Sequence, residues 1–376
     1  MKAIIGAKII LEKEILEGKA IVFEDKIRDI CDLSKMPAEA EIIDACGNYA
    51  APGLIDVHIH GFLGEDASDC SPEGIKTMSE GLARQGVTGF LPTTVTIPRE
   101  DIQNAADITR SLMGDAGLRG AAVLGMHAEG PFVNPKKKGA QNEAYIQAPD
   151  ASLILENSDV IKIVTLAPEM DEGFSAVREI VRNSNTVVSM GHTDASYEEA
   201  CEAVLAGVSH STHLFNAMSV LAHRAPGVVG ASLNKNISTE IICDMFHIHP
   251  ALYKIVYACK KDKLVLITDC VRSGGLTDGE YMLGGQKVIL KGIECRLEDG
   301  TIAGSVLTLN KGVYNFYCHA GVSLCEAVNC ASLNPARLIG LDKQKGSIEA
   351  GKDADIIIAD AKFNIKRTII GGRIVY

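Results

Sequence analysis

A (β/α)8 TIM barrel with a small β-sandwich built from both termini is the fold class that this 376-residue sequence predicts. Three observations carry it. Eight short β-rich runs alternate with helical stretches between 53 and 342, the pattern of parallel strands joined by crossover helices. The two ends change texture and read as strands linked by turns, which assigns 1–52 plus 343–376 to the sandwich and 53–342 to the barrel. No GxGxxG follows the first run, the phosphate-binding turn that an open doubly wound sheet commonly carries.

Along the chain, the N-terminal strands are AIVFEDKIRDI and EIIDACGNYAAPG. The barrel runs begin with GLIDVHIH (53–60), TGFLPTT (88–94), AAVLGMHAE (121–129) and IKIVTLAPE (161–169). Then come TVVSMGHT (186–193), HSTHLF (210–215), STEIICD (238–244) and KLVLITD (263–269). Helical stretches such as SPEGIKTMSEGLARQG and SYEEACEAVLAG lie between them, each closing in a glycine that tolerates the left-handed backbone of a helix C-terminus. The final strands, DADIIIADAKFNIKRTIIGGRIVY, use GG as a hairpin turn.

Composition narrows the function. A hydrophobic content of 47% supports a substantial core. The net charge of −11 argues against nucleic-acid or anionic-membrane binding, so any cation for an anionic substrate must be local. Eleven cysteines without a CxxC pair suit the reduced thiols of a cytoplasmic protein. The opening MKAIIGAKIILEKEILEGKAIVFED is broken by charges, unlike a signal peptide. No run reaches the ~20 apolar residues of a membrane helix.

A barrel places its chemistry at the C-terminal ends of its strands. Those ends carry His58 and His60, then His127 and Glu129, then His192, His210 and His213, and finally Asp244 and Asp269. Residues two apart on a strand face one side, so His58 and His60 project together. Alone they could be a hydrogen-bonded core pair. With Glu129, His192, His213 and Asp269 they form a donor set for a divalent cation. Imidazoles and carboxylates without thiolate suit Zn²⁺, Fe²⁺ or a similar ion. An open coordination position would lower the pKa of a water toward ~7, with Asp269 moving its proton. Cys243 and Cys270 flank these positions but are expected neither as ligands nor as nucleophiles.

These residues resemble the amidohydrolase superfamily. Longer blocks resemble the N-acetylglucosamine-6-phosphate deacetylase family in order along the whole chain: PGLIDVHIHG, GMHAEGPFVNPKKKGAQN, SMGHTDASYEEA, STHLFNAMSVLAHRAPGVVGA, CDMFHIHP, LITDCV, IAGSVLTL and NPARLIGLDKQKGSIEAGKDADIII. HAEGPF and THLFNAM are the most specific of them. Ring-opening relatives bridge two metals with a carboxylated lysine on strand four. Here that strand ends in LAPE and its one lysine, Lys162, lies near its start, so Glu129 fits the bridging role.

The resemblance implies a metal-dependent deacetylase of N-acetylglucosamine 6-phosphate, with the galacto epimer or another N-acyl amine as the alternative substrate. It implies Glu129, His192 and His213 as the primary ligands of a Zn or Fe ion, and Asp269 as the general acid/base. His58 and His60 would complete a second site; some members carry Gln and Asn there and use one metal. Asn216 and Ala217 would meet the phosphate through backbone amides. Arg224 would reach it from the neighbouring subunit of a homodimer. His247 would contact the sugar and orient the carbonyl. Ala140 and Gln141 would line the sugar end, and Ile302, Ala303 and Gly304 the acetyl pocket.

Two departures border the sugar pocket and bear on its stereochemistry: Met245 and Phe246 replace a common Gly and an aliphatic residue, and Gln141 stands where some members have His. Lys136, Lys137 and Lys138 form a basic run that reads as a steering patch or a solvated loop. His127 reads as a partner of a metal ligand or as core; His210, His223 and His249 receive no role. A non-catalytic barrel would show gaps in the ligand set, and here every position is filled.

Overall fold

The computed structural model describes residues 1–115 and 117–376. Its central sheet is parallel, and strand order follows chain order. The barrel strands are β1 (Leu54–Ile59), β2 (Val87–Thr94), β3 (Met126–Glu129), β4 (Ile161–Leu166), β5 (Val187–Met190), β6 (His210–Ser211), β7 (Ser238–Ile242) and β8 (Leu264–Ile267). Each falls within a predicted run, except that β2 begins one residue earlier, at Val87. A short piece, Ala122–Val123, precedes β3 and also pairs with β2; Gly125 at φ +142° separates the two.

The ring closes at its mouth. Ile59 bridges Cys270, the Asp269 N–H donates to the His58 carbonyl at 2.9 Å, and the His60 N–H donates to the Cys270 carbonyl at 2.8 Å. Closure there draws Asp269 beside the histidine pair. Lower on the same seam, the Thr268 hydroxyl donates to Asp56 Oδ2 at 2.6 Å.

The outer helices start where the sequence supplies caps. Ser71 accepts the Gly74 N–H ahead of Pro72–Ala83, with proline in the first turn where its missing N–H is harmless. Ser196 and Glu199 form a capping box for Tyr197–Ala206, which closes at Gly207. These helices bury Ile75, Met78 and Leu82, or Ala200 and Ala203, in the barrel's main core.

Both termini contribute to two facing sheets. Lys2–Ile5, Lys19–Phe23, Ile27–Asp32 and Glu41–Asp44 form one. Lys8–Ile10, Ile15–Leu16 and Tyr49–Pro52 join Ile356–Ala359, Ile365–Ile370 and Arg373–Ile374 in the other. Ile4, Phe23 and Ile43 of the first share a buried cluster with Ile9, Ile356 and Ile369 of the second, as a sandwich requires. Gly371 and Gly372 make the expected hairpin turn at φ +52° and +73°, and a Cβ at Gly372 would fall 1.6 Å from the Glu24 carbonyl oxygen.

One feature was not expected from sequence. After β8 the chain makes an antiparallel meander, Gly279–Leu283, Gln286–Lys291 and Glu294–Leu297. Its signal was present in alternating EYML and KVILK segments around the Gly284–Gly285 turn. It sits over the mouth: Gln286 donates to the Ala140 carbonyl at 2.6 Å, and the Arg296 guanidinium lies 5.3 Å from the Phe246 ring centroid. All eleven cysteines are unpaired. Among the described residues no helix is long and apolar enough to cross a membrane.

Candidate metal centre

His58 lies in β1, His60 just beyond it, and Glu129 ends β3. The other three principal groups stand past their strands. His192, His213 and Asp269 follow β5, β6 and β8 in left-handed backbone, with φ of +48°, +29° and +50°. Such a conformation costs a side-chain-bearing residue on the order of 1–3 kcal/mol and persists only where neighbours hold it. Here the His192 carbonyl accepts the Asn134 N–H at 2.9 Å, and the His213 carbonyl accepts the Asn216 N–H at 3.0 Å.

These turns bring six donors together. His213 Nε2 lies 2.9 Å from Glu129 Oε1 and 3.1 Å from His192 Nε2, which is itself 3.3 Å from that oxygen. Opposite, His58 Nε2 and His60 Nε2 are 3.3 Å apart, with Asp269 Oδ1 at 3.5 and 3.1 Å. Glu129 joins the two triads, its Oε1 3.4 Å from His58 and its Oε2 3.3 Å from His60. Bonds of ~2.0–2.1 Å in a tetrahedron imply donor–donor edges of ~3.3 Å. The observed edges fit.

The far side of three imidazoles is anchored, as a metal ligand requires. His60 Nδ1 donates to the Thr93 carbonyl at 3.0 Å, His192 Nδ1 to the Lys137 carbonyl at 2.9 Å, and His58 Nδ1 to Glu240 Oε2 at 3.0 Å. His213 is the exception, its buried Nδ1 having no partner among the described residues.

The electrostatics call for a cation. Burial pushes the Glu129 carboxyl up, but His58 and His192 outweigh it and hold the group well below the usual carboxylate range. Burial pushes His58 down, and the carboxylates of Glu129, Glu240 and Asp269 outweigh that, lifting it to about 9. His60 and His213 are raised likewise against their burial. Asp269 is lowered, burial being outweighed by His58 and His60. In the metal-free protein these histidines favour their protonated form, and a bound cation would displace those protons.

The centre opens into a cavity of about 360 Å³ lined by His60, Glu129, His192, His213 and Asp269. Asn216, Ala217, Ala140, Ile302 and Gly304 line it too. His247 joins them, its Nδ1 donating to Asp244 Oδ2 at 2.6 Å. Gln141 also faces the cavity, but its carboxamide is engaged with Glu129 and Thr96. Ala303 does not line it: the residue is fully buried, and its N–H donates to the Cys295 carbonyl. Lys136 and Lys137 also border it, Lys136 exposed, with their ammonium groups 3.9 and 3.4 Å from Asp194, and Lys138 pairs with Glu143. Arg224 lies outside, exposed on a separate hollow that it shares with Lys137.

The remaining histidines and thiols sort cleanly. His127 packs as core: burial and His58 lower it to about 3, and it bonds the Val57 carbonyl and the Thr165 hydroxyl rather than Glu129. His249 accepts the Ala251 N–H at a helix start, and His223 is exposed. Burial pushes the Cys243 and Cys270 thiols well up, away from the thiolate form. His210 has a role that sequence reading missed, as the partner of Glu240. Glu240 and Asp56 were themselves overlooked, although each is a fully buried acid in a largely buried strand. Burial lifts Asp56 to about 7.

A closed barrel whose C-terminal mouth holds two imidazole–carboxylate triads on a shared glutamate defines the class of metal-dependent hydrolases. The Amidohydrolase family model matches residues 49–375, and the chain belongs to that family. It is 39% identical to N-acetylglucosamine-6-phosphate deacetylase of Bacillus subtilis (strain 168), over 98% of this chain and 95% of that protein. It is 34% identical to N-acetylgalactosamine-6-phosphate deacetylase of Escherichia coli O157:H7, over 90% of each. The crystal structure of N-acetylglucosamine-6-phosphate deacetylase from Pasteurella multocida superposes with a TM-score of 0.95 at 33% identity, covering 99% of both chains.

Proposed function

We propose that this chain hydrolyses the N-acetyl group of N-acetylglucosamine 6-phosphate, releasing glucosamine 6-phosphate and acetate. The observation that carries the reading is the gathering of Glu129, His192, His213 and Asp269 on one cavity, in a chain similar over nearly its full length to deacetylases. Glu129, His192 and His213 would hold a divalent ion, Zn or Fe by their donor chemistry, and His58 and His60 a second. When bound, the ion supplies a water of lowered pKa and polarises the acetamide carbonyl.

The chain's own groups do the rest. Asp269, held ionised, takes a proton from the water as its oxygen bonds the carbonyl carbon. It returns that proton to the amine nitrogen as the C–N bond breaks. His247, fixed by Asp244, orients the sugar and the carbonyl oxygen. Ala140 and Gln141 flank the sugar, and Ile302 and Gly304, backed by Ala303, flank the acetyl group. Asn216 and Ala217 receive the phosphate, with Lys136 and Lys137 adding local positive charge to an acidic protein.

Arg224 completes the phosphate site from the neighbouring subunit of a homodimer. Its exposure outside its own cavity supports this, as do Val220 and Leu221 beside it, 69% and 54% exposed. Eleven unpaired thiols support a cytoplasmic setting.

Acetate release with the gluco and galacto 6-phosphates, and with the unphosphorylated sugar, tests the assignment. The reading expects the highest kcat/KM for the gluco 6-phosphate; a preference for the galacto epimer would transfer it to that substrate. Equal turnover without phosphate would sink the phosphate site.

A further inference from the structure

Glu240 is the one charged residue of β7; it is fully buried and is not among the residues that line the cavity. A carboxylate in that position must be satisfied by donors. Its Oε1 accepts from His210 Nε2 at 3.0 Å. Its Oε2 accepts from His58 Nδ1 at 3.0 Å and from the His213 backbone N–H at 3.2 Å. His210 is held on its other side by the Ser238 hydroxyl, 2.8 Å from Nδ1. The chain of bonds runs from β7 through β6 and across the barrel to β1.

With an ion bound, His58 keeps one ring proton, which has two places to go. On the Nδ1 side stands Glu240 at 3.0 Å; on the Nε2 side stand Glu129 Oε1 at 3.4 Å and Asp269 Oδ1 at 3.5 Å. A proton on Nε2 would bond those two carboxylates and block the position where an ion must bind. We infer that Glu240 is a positioning residue for a second cation: it keeps the His58 proton on Nδ1, so that a bare Nε2 faces the ion beside His60 and Asp269. This rests on the metal centre proposed above. The triad of Glu129, His192 and His213 does not include His58, and Glu240 touches it only through the His213 amide. The relay therefore controls the second ion far more than the first.

The test compares wild type with Glu240→Gln, which keeps the volume and removes the charge. Metal-stripped protein is titrated with Co²⁺, followed by visible absorption and by metal analysis after dialysis. The expectation is two ions in the wild type, with the second bound roughly 10–100-fold more weakly in the variant and the first within about threefold. Two ions bound by the variant as tightly as by the wild type would overturn the inference while leaving the metal centre standing. Equal weakening of both ions would overturn it as well, reducing Glu240 to a structural group. A wild type that binds one ion also overturns it, and one that binds none removes the metal centre too. If the variant melts too early to assay, ¹⁵N NMR of the Zn²⁺-loaded wild type decides: a protonated Nδ1 on His58 is expected, and a protonated Nε2 refutes the claim.

Discussion

Gln141 Nε2 lies 2.6 Å from Glu129 Oε2, while the oxygen of the same carboxamide accepts the Thr96 N–H at 2.5 Å. The side chain is clamped at both ends, and it grips the shared glutamate by the oxygen that faces His60. Gln141→Leu removes that donor and leaves a buried carboxylate oxygen to wander. Metal affinity should fall roughly 10–100-fold, as for other outer partners of metal ligands. Competition against a chelator of known affinity measures it, and an unchanged value would mean that the clamp is idle.

Asp269 offers a sharper contrast. In its proposed role as proton carrier it should be indispensable to turnover, whereas Glu129, His192 and His213 form a donor group that could hold an ion without it. Asp269→Asn is expected to lower kcat about 10²–10⁴-fold with at least one equivalent of metal retained. Acetate release and metal analysis on the same sample separate the two effects. Near-normal turnover would remove Asp269 from the mechanism.

Metal uptake should strengthen as pH rises. In the metal-free protein His58, His60 and His213 keep their protons to higher pH than free imidazole, His58 to about 9. A raised value means that the protonated form persists below it, so an arriving ion must displace protons throughout that range. Each displaced proton makes affinity change about tenfold per pH unit. Calorimetry in buffers of different ionisation heat should detect proton release at pH 7. Saturation at 100 times Kd should then stabilise the fold by ~2.7 kcal/mol and raise Tm.

Arg224→Ala should separate phosphate binding from chemistry. The residue is solvent-exposed and outside its own cavity, so its loss should leave the fold and the metal content alone. A charged hydrogen bond of ~1.5–3 kcal/mol corresponds to roughly 10–100-fold in kcat/KM for the phosphorylated sugar. The unphosphorylated sugar should be nearly unaffected. Sedimentation of wild type and variant checks that dimerisation is not the variable; a monomeric, fully active wild type would end the cross-subunit reading.

Much of this site was legible from local rules. The period of two on β1 put His58 and His60 on one face, and the barrel rule put Glu129, His192, His213 and Asp269 at one mouth. The Gly207 helix end and the Gly371–Gly372 turn were likewise readable, because each acts within a few residues. By contrast, Glu240 looked like one more polar letter after Ser238 and Thr239 at the start of β7. Its meaning depends on His58, 182 residues away, and on a ring closure that no local pattern encodes. Gln141 was expected at the sugar end and does line the cavity; its pairing with Glu129 was not legible, because it requires the loop after β3 to fold back over the mouth.

The residues by themselves determined which donors exist, their chemistry, and the strand ends that carry them, since these follow from identity and short-range periodicity. Only the tertiary structure decided how the donors group around Glu129, which ring nitrogens converge with its carboxylate, and which side chains hold them there. Those choices depend on distances of about 3 Å across the barrel, set by left-handed turns at His192, His213 and Asp269 and by closure of Ile59 on Cys270. Hydrogen bonds and coordination act through space, and the chain acquires those separations only when the ring shuts.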